Sequence, residues 1–249
     1  MNPVIYGYKE NLKTGKKLAN ALNCSYHYPG SGYVYNSNDL IINWGNGNAL
    51  GIPQEAKILN KPRFVNRSVN KEVTFEYLQH AGVSIPARTR VKDIAREWLE
   101  QGEIVFCRQD LEGHNGSGIV VARTQEQLVN SQLYTKYVNN DREFRVHVFK
   151  GEAIFWTEKA IASDAGPNPD PMIKSGDDWS MGWVDAVSNH VKQQAVKATL
   201  ALGLDFAAID IGSDRIGNHC WVFESNTAPG AFGPVTLEKY VRAIRRECE

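Results

Sequence analysis

Apolar residues recur along this chain with two periods, and their alternation predicts a mixed α/β protein. Residues 4–6 form a short apolar run of strand type, and Leu12, Leu18, Ala19 and Leu22 fall near helical spacing. A second strand at 40–42 ends in the turn-rich Trp44-Gly45-Asn46-Gly47-Asn48. Ile52-Pro53 and Lys61-Pro62 punctuate the exit from this opening, so residues 1–65 read as a small α/β unit. One helix is predicted over 69–81, stopped by Gly82 with Pro86 beyond it, and another over 91–101. Strands at 104–107 and 119–122 enclose a glycine-rich segment, and Thr124-Gln125-Glu126-Gln127 has the form of a capping box opening a short helix. A strand over 133–138 follows. Strands at 143–149 and 152–157 flank Lys150-Gly151, a hairpin signal. Residues 163–182, rich in Gly, Pro and Asp, read as a loop long enough to serve as a lid. Val187, Val191, Ala195, Ala198 and Leu202 lie on one stripe of a helix over 186–202. Strands at 206–211 and 220–224, joined by a turn at 214–218, and a helix over 236–246 close the chain.

Composition narrows the function classes. The 249 residues carry 28 Lys+Arg against 28 Asp+Glu, so binding to nucleic acid driven by bulk charge is not expected. At 42% hydrophobic the chain is rich enough for a packed core, so disorder is excluded. No run approaches the ~18 apolar residues of a membrane span, and the first residues lack the apolar stretch of a signal peptide. Cys24, Cys107, Cys220 and Cys248 are far apart and form no C-x-x-C pair. They read as free, partly buried thiols in a reducing, cytoplasmic setting.

Three constellations carry chemistry. In the last hairpin Asp210 lies in Ile-Asp-Ile, and Glu224 and Asn226 share a strand face, so pairing about the 214–218 turn brings Asp210 near Glu224 where the register allows. An unpaired ion in such apolar strands costs several kcal/mol, so this set of hard oxygen donors reads as a Mg²⁺ site, with Mn²⁺ as the alternative metal. The second constellation, Gly113-His114-Asn115-Gly116-Ser117-Gly118, presents backbone N–H groups for phosphate. It matches neither the dinucleotide nor the P-loop spacing, and a plain hairpin turn explains the glycines equally well. Third, Lys71, Arg108, Lys136, Arg142, Arg145 and Lys159 form a basic set that reads with the carboxylates as a triphosphate cradle, although each alone is an ordinary surface charge. The histidines have no metal-binding spacing, and no Gly-x-Ser-x-Gly elbow is present.

The order of these motifs resembles the ATP-grasp superfamily over residues 60–235, within it the glutathione-synthetase and ribosomal-protein glutamate-ligase type. The resemblance rests on Asn70-Lys71, Val105-Phe-Cys-Arg108, Gly113-x-x-Gly116-x-Gly118, Tyr134-Thr-Lys-Tyr-Val138, Glu143-Phe-Arg-Val146, Ala208-Ile-Asp210 and Phe223-Glu-Ser-Asn226 with Pro229-Gly230. It implies an α/β (α+β) architecture in which two α+β subdomains, 66–135 and 136–249, clasp ATP after the small unit 1–65. It also implies that Lys71 and Arg108 meet the phosphates, Arg108-Gln109 standing where Lys-Pro is usual in the family. Gly113, His114, Gly116, Ser117 and Gly118 would close over the triphosphate. Lys136, Tyr137 and Val138 would form the adenine hinge, and Asp141 or Glu143 would reach the ribose. Arg145 and Lys159 would act at the transferred phosphate, and Asp210, Glu224 and Asn226 would hold the metal.

The activity so implied is ligation of a carboxylate to an amine through an acyl phosphate, with an amino acid, peptide or protein as partner. Alternatives are a kinase on the same scaffold, or a nucleotide-binding protein without catalysis. The acidic 163–182 segment is a candidate for recognising a cationic amine, or simply a solvated loop. A dimer is the commonest state for a soluble oligomer.

Overall fold

The chain opens with β1 (Asn2–Gly7), α1 (Lys13–Leu22), β2 (Tyr26–His27), β3 (Asp39–Trp44) and β4 (Ile58–Leu59). These positions come from a computed structural model that describes residues 1–48, 51–112, 117–165, 172, 174, 179–230 and 233–249. The strands form a parallel sheet ordered β2-β1-β3-β4. Every residue of β3 is buried, as expected of a parallel strand covered on both faces. β2 and β4 are two residues each, too short to leave a periodic signal.

The helix expected over 69–81 is present as α3 (Lys71–His80), and a further helix, α2 (Pro62–Val69), precedes it. α2 starts with Pro62 in its first turn, and α3 follows after one residue. Asn70 separates them with an extended backbone (φ −80°, ψ 116°). Its side-chain oxygen accepts from the Glu72 and Val73 N–H groups at 3.1 and 3.2 Å, the N-cap that starts α3 at Lys71. Phe75 and Leu78 then point into the main core.

β5 (Arg88–Thr89), α4 (Lys92–Glu100), β6 (Val105–Arg108), β7 (Ile119–Ala122) and β8 (Leu133–Lys136) build an antiparallel sheet ordered β5-β8-β6-β7. Ala95 and Leu99 of α4 cover it, packing with Val105, Cys107, Ala122 and Tyr134. The capping box expected at Thr124 does not form. Residues Gln125–Gln127 make one 3₁₀ turn with no side-chain cap from Thr124, and Gln127 Oε1 accepts from the Arg123 N–H instead.

The rest is β9 (Arg142–Phe149), β10 (Glu152–Ile161), β11 (Trp179–Trp183), α5 (Asn189–Ala201), β12 (Phe206–Ser213), β13 (Cys220–Asn226) and α6 (Pro234–Cys248). The strands form an antiparallel sheet ordered β11-β10-β9-β12-β13. Lys150 and Gly151 both take positive φ, 46° and 78°, which matches the twist of the β9–β10 hairpin. The loop expected over 163–182 contains part of a strand, β11. Its signal is the alternation of Trp179, Met181 and Trp183 with Ser180 and Gly182, hidden beside a run of Gly, Pro and Asp.

One face of this sheet packs Val146, Val148, Ile209, Ile211 and Val222 against Val191, Ala195 and Ala198 of α5. The other face changes character along the strands. At one end Phe149 and Phe206 meet Trp44 of the first sheet and Tyr240 of α6, with Trp44 stacked on Phe206 at 5.3 Å. Four residues further along β9 and β12 the same face carries Arg145 and Asp210.

Asn60 fastens the first unit to β12. It is fully buried at φ 60°, its Oδ1 accepts from the Asp205 and Phe206 N–H groups at 2.8 and 3.1 Å, and its Nδ2 donates to Phe206 O at 2.8 Å. Asn60→Ala removes these bonds and leaves a side chain ill-suited to the left-handed region, an expected loss of about 3 kcal/mol in urea unfolding. Cys24, Cys107, Cys220 and Cys248 are free thiols, and burial pushes Cys24 and Cys220 up to about 11. No helix among the described residues is long and apolar enough to cross a membrane.

Candidate functional site

A cleft of about 490 Å³ opens between the β5–β8 sheet and the β9–β13 sheet. Its wall contains Lys71, Arg108, Lys136, Tyr137, Val138, Glu143, Arg145, Lys159, Asp210, Glu224 and Asn226. These expected positions come from seven elements and the β8–β9 connection. Gly113, His114 and Gly116 lie outside the described residues. Ser117 and Gly118 are described, in the turn before the return strand, and do not line the cleft. Gly118 has φ +73°, and a Cβ there would sit 2.8 Å from Asp110 Cβ, so only glycine fits that turn.

One register row forms the floor: Glu224 opposite Asp210, Asp210 opposite Arg145, Arg145 opposite Thr157. A bulge makes this row. The β12–β13 ladder runs Ser213↔Cys220, Gly212↔Trp221, Ile211↔Val222 and then jumps to Asp210↔Glu224. Uninterrupted pairing would oppose Phe223 to Asp210 and turn Glu224 to the other face. The extra residue, Phe223, stays on the cleft side and lies over Gly212.

The floor is a dense ionic array. Arg145 clamps Asp210 with two bonds, Nε to Oδ1 at 2.7 Å and Nη2 to Oδ2 at 2.8 Å. Lys159 reaches Asp210 Oδ2 at 3.5 Å and pairs with Glu143. Lys71 pairs with Glu224 at 2.9 Å. Burial alone would raise the Asp210 carboxyl, but Arg145 and then Lys159 overcome it and hold the group well below the usual carboxylate range. Burial lowers the Arg145 and Lys159 cations, yet the surrounding carboxylates, Asp210 first, leave both above their ordinary values. Glu143 is raised, because its burial outweighs Lys159. His147, on the same face one row from Arg145, is pushed down to about 3 by burial and by Arg145. It is neutral and touches Tyr240 Oη at 3.2 Å. Arg108 is brought down to about 10, again by burial.

Lys136 differs from a free phosphate-binding cation, since it pairs with Glu103 at 3.0 Å and lies over Trp98. The Lys136 and Tyr137 N–H groups are used by Ala87 O and Ile104 O. That leaves Val138, among the described residues, with the hinge N–H not engaged by a backbone acceptor. Glu143 rather than Asp141 lines the cleft, for Asp141 accepts from the Arg215 N–H. Sequence reasoning missed Phe106, Trp179, Met181 and Phe223 on the walls. Phe106 was detectable, two residues from Arg108 on the same strand face. Trp179 and Met181 belong to the overlooked strand, and Phe223 faces the cleft only because of the bulge.

Asp210, Glu224 and Asn226 are tested as metal donors by their chemistry. Two carboxylates and an amide oxygen are the hard ligands Mg²⁺ takes. Asn226 turns its Nδ2 toward Ala208 O, which leaves the amide oxygen as its ligating end. Among the described residues no group of three or more His, Cys, Asp or Glu gathers.

The architecture has known counterparts. The ATP-grasp ligase PsnB complexed with minimal precursor, Mg and ADP superposes with a TM-score of 0.71, covering 99% of this chain and 97% of that one at 12% identity. The chain has the ATP-grasp fold. D-alanine–D-alanine ligase from Bacillus anthracis also superposes, with a TM-score of 0.66, 15% identity and coverage of 98% and 97%. In sequence, human beta-citrylglutamate synthase B is 24% identical over 190 residues, 70% of this chain and 47% of the relative. The chain thus spans about half the length of the curated relatives it matches. No family profile matches the sequence.

Proposed function

We propose that this ATP-grasp chain is an ATP- and Mg²⁺-dependent ligase that joins a carboxylate to an amine. The observation that carries the reading is the register row Glu224–Asp210–Arg145 at the base of a cleft whose far wall bears Arg108 and the Val138 hinge. The similar proteins support it, since their names describe a D-Ala–D-Ala ligase, a citrylglutamate synthase, and PsnB complexed with Mg and ADP.

In this reading Val138 meets the adenine edge, and Glu143 faces the ribose. Lys71 and Arg108 take the phosphates. Asp210, Glu224 and Asn226 hold Mg²⁺, which when bound offsets charge on the triphosphate. Arg145 and Lys159 face the transferred phosphoryl group. The substrate carboxylate oxygen bonds to the γ-phosphorus as the bond to ADP breaks. The amine nitrogen then bonds to the acyl carbon, phosphate leaves, and the nitrogen loses a proton. Cations at the floor reduce the repulsion between two anions, which is the main barrier to the first step. The partner is an amino acid, a peptide or a protein, as the peptide-bound neighbours suggest, and the free thiols fit a cytoplasmic setting.

Incubation with ATP, Mg²⁺ and pools of amino acids and peptides, followed by mass spectrometry, tests this. The expected products are ADP, phosphate and an adduct lighter than its two components by one water. A stable phosphoester in place of an amide would make the chain a kinase. A second test concerns Gly212, where a Cβ would come within 2.5 Å of Phe223 Cζ and 3.0 Å of Asn140 Cγ. Gly212→Ala should push the Phe223 ring into the cleft and weaken binding of an ATP analogue about tenfold in calorimetry, roughly 1.4 kcal/mol.

A further inference from the structure

Lys71 and Glu224 are assigned above to different parts of the bound metal–nucleotide, yet here they hold each other. Nζ and Oε1 are 2.9 Å apart, with the side chains 10% and 26% exposed. Lys71 is the first residue of α3, where a cation faces the positive end of the helix dipole. It therefore needs an anion, and Glu224 supplies one. Asp210 is likewise covered by Arg145 and Lys159. Arg108 is the exception. Among the described residues it makes no direct ion pair, only a 3.4 Å contact with Thr135 Oγ1 and a longer-range attraction to the Glu224 carboxylate. The carboxylates suited to a metal thus carry the cations suited to phosphate.

We propose that the Lys71–Glu224 pair is a latch that makes the divalent cation and the triphosphate bind as a pair, with Arg108 as the first landing point for phosphate. The proposal rests on the ligase reading of the cleft. A metal ion arriving alone must displace Lys71 and strand a mostly buried ammonium beside a dication. A triphosphate arriving alone draws Lys71 away and leaves Glu224 unpaired beside new negative charge. Arriving together, each takes one half of the ion pair, and neither half is left uncompensated. By linkage, each ligand then tightens the other by the same factor.

The test measures Mn²⁺ binding by electron paramagnetic resonance on the full chain with no nucleotide present. Lys71→Met is expected to bind Mn²⁺ about tenfold or more tightly than the wild type, because an opposite charge this close shifts an ionic equilibrium by roughly one to three powers of ten. Lys71→Gln serves as a second variant, and circular dichroism checks folding of both. Lys136→Met removes the same charge from the same cleft, but its partner is Glu103, so Mn²⁺ affinity should not change. In EDTA, equilibrium dialysis with ATP should show weak binding that Arg108→Met abolishes and Lys71→Met retains. Unchanged Mn²⁺ affinity in both Lys71 variants, or equal tightening in Lys136→Met, overturns the latch alone. A wild-type chain that binds no Mn²⁺·ATP at all overturns the reading of the cleft, and the latch with it.

Discussion

Glu224→Gln should lower the turnover of ATP by at least about 10²–10³, the scale seen when one preorganised electrostatic group is removed from a reacting centre. The melting temperature should hardly move. Glu224 sits at the rim of the floor, a quarter exposed, and contributes nothing to the apolar core. Glutamine keeps the shape and still offers Lys71 an oxygen, so the site stays assembled. What is lost is one negative charge opposite Asp210, where the metal is proposed to sit. The effect should therefore appear in the metal dependence, with much more Mg²⁺ needed for any residual rate. A steady-state titration of Mg²⁺ at fixed ATP, together with thermal unfolding of both proteins, separates this from a folding defect. Wild-type turnover in Glu224→Gln would remove the chemical basis of the proposed function.

Arg145→Met should have the largest effect on stability, about 3–5 kcal/mol, the cost of leaving a buried charge without its partner. Asp210 has only 3% of its side chain exposed and loses both bonds of its bidentate clamp. Lys159, at 3.5 Å, retains part of the compensation. The loss must depend on pH in a defined direction. In the native protein the Asp210 carboxyl is held below its unfolded value of ~3.9, so its contribution is complete above that pH and declines as pH falls through the folded value. Without Arg145, burial pushes the folded value upward, and acid unfolding should begin at higher pH. Urea titrations from pH 7 down to 3 measure this. Adding Asp210→Asn should restore part of the stability, since a neutral amide no longer needs the cation. A double variant no more stable than Arg145→Met would show that the ion pair is not the origin of the loss.

Much of this could be read from residue order alone. Period-2 and period-3.6 patterns located the longer elements, because a strand buried on one or both faces and an amphipathic helix impose those periods on their residues. The helix over 69–81 was legible in its apolar spacing and its Gly82 stop, since both are local features of the sequence. Asp210 and Glu224 were identifiable as charges in otherwise apolar strands, where an ion requires a partner, whereas Arg145 and Lys159 stood out only through the order of motifs. The order of motifs then pointed to the fold that the structural comparisons show.

Tertiary structure decided what depends on pairing between distant segments. A one-residue bulge after Val222 brings Glu224 and Asp210 to the same face, and no local pattern announces a bulge. β11 forms because β10 offers it an edge, despite a neighbourhood rich in turn residues. α6 returns across the whole chain to seal the first sheet onto the β9–β13 sheet through Tyr240 and Ile244. Which cation neutralises which carboxylate was likewise open in the sequence, because charges attract over distances that only folding sets. Local periodicity and capping are short-range, and so are legible in order; register, layer packing and ion pairing are long-range, and exist only once the strands have met.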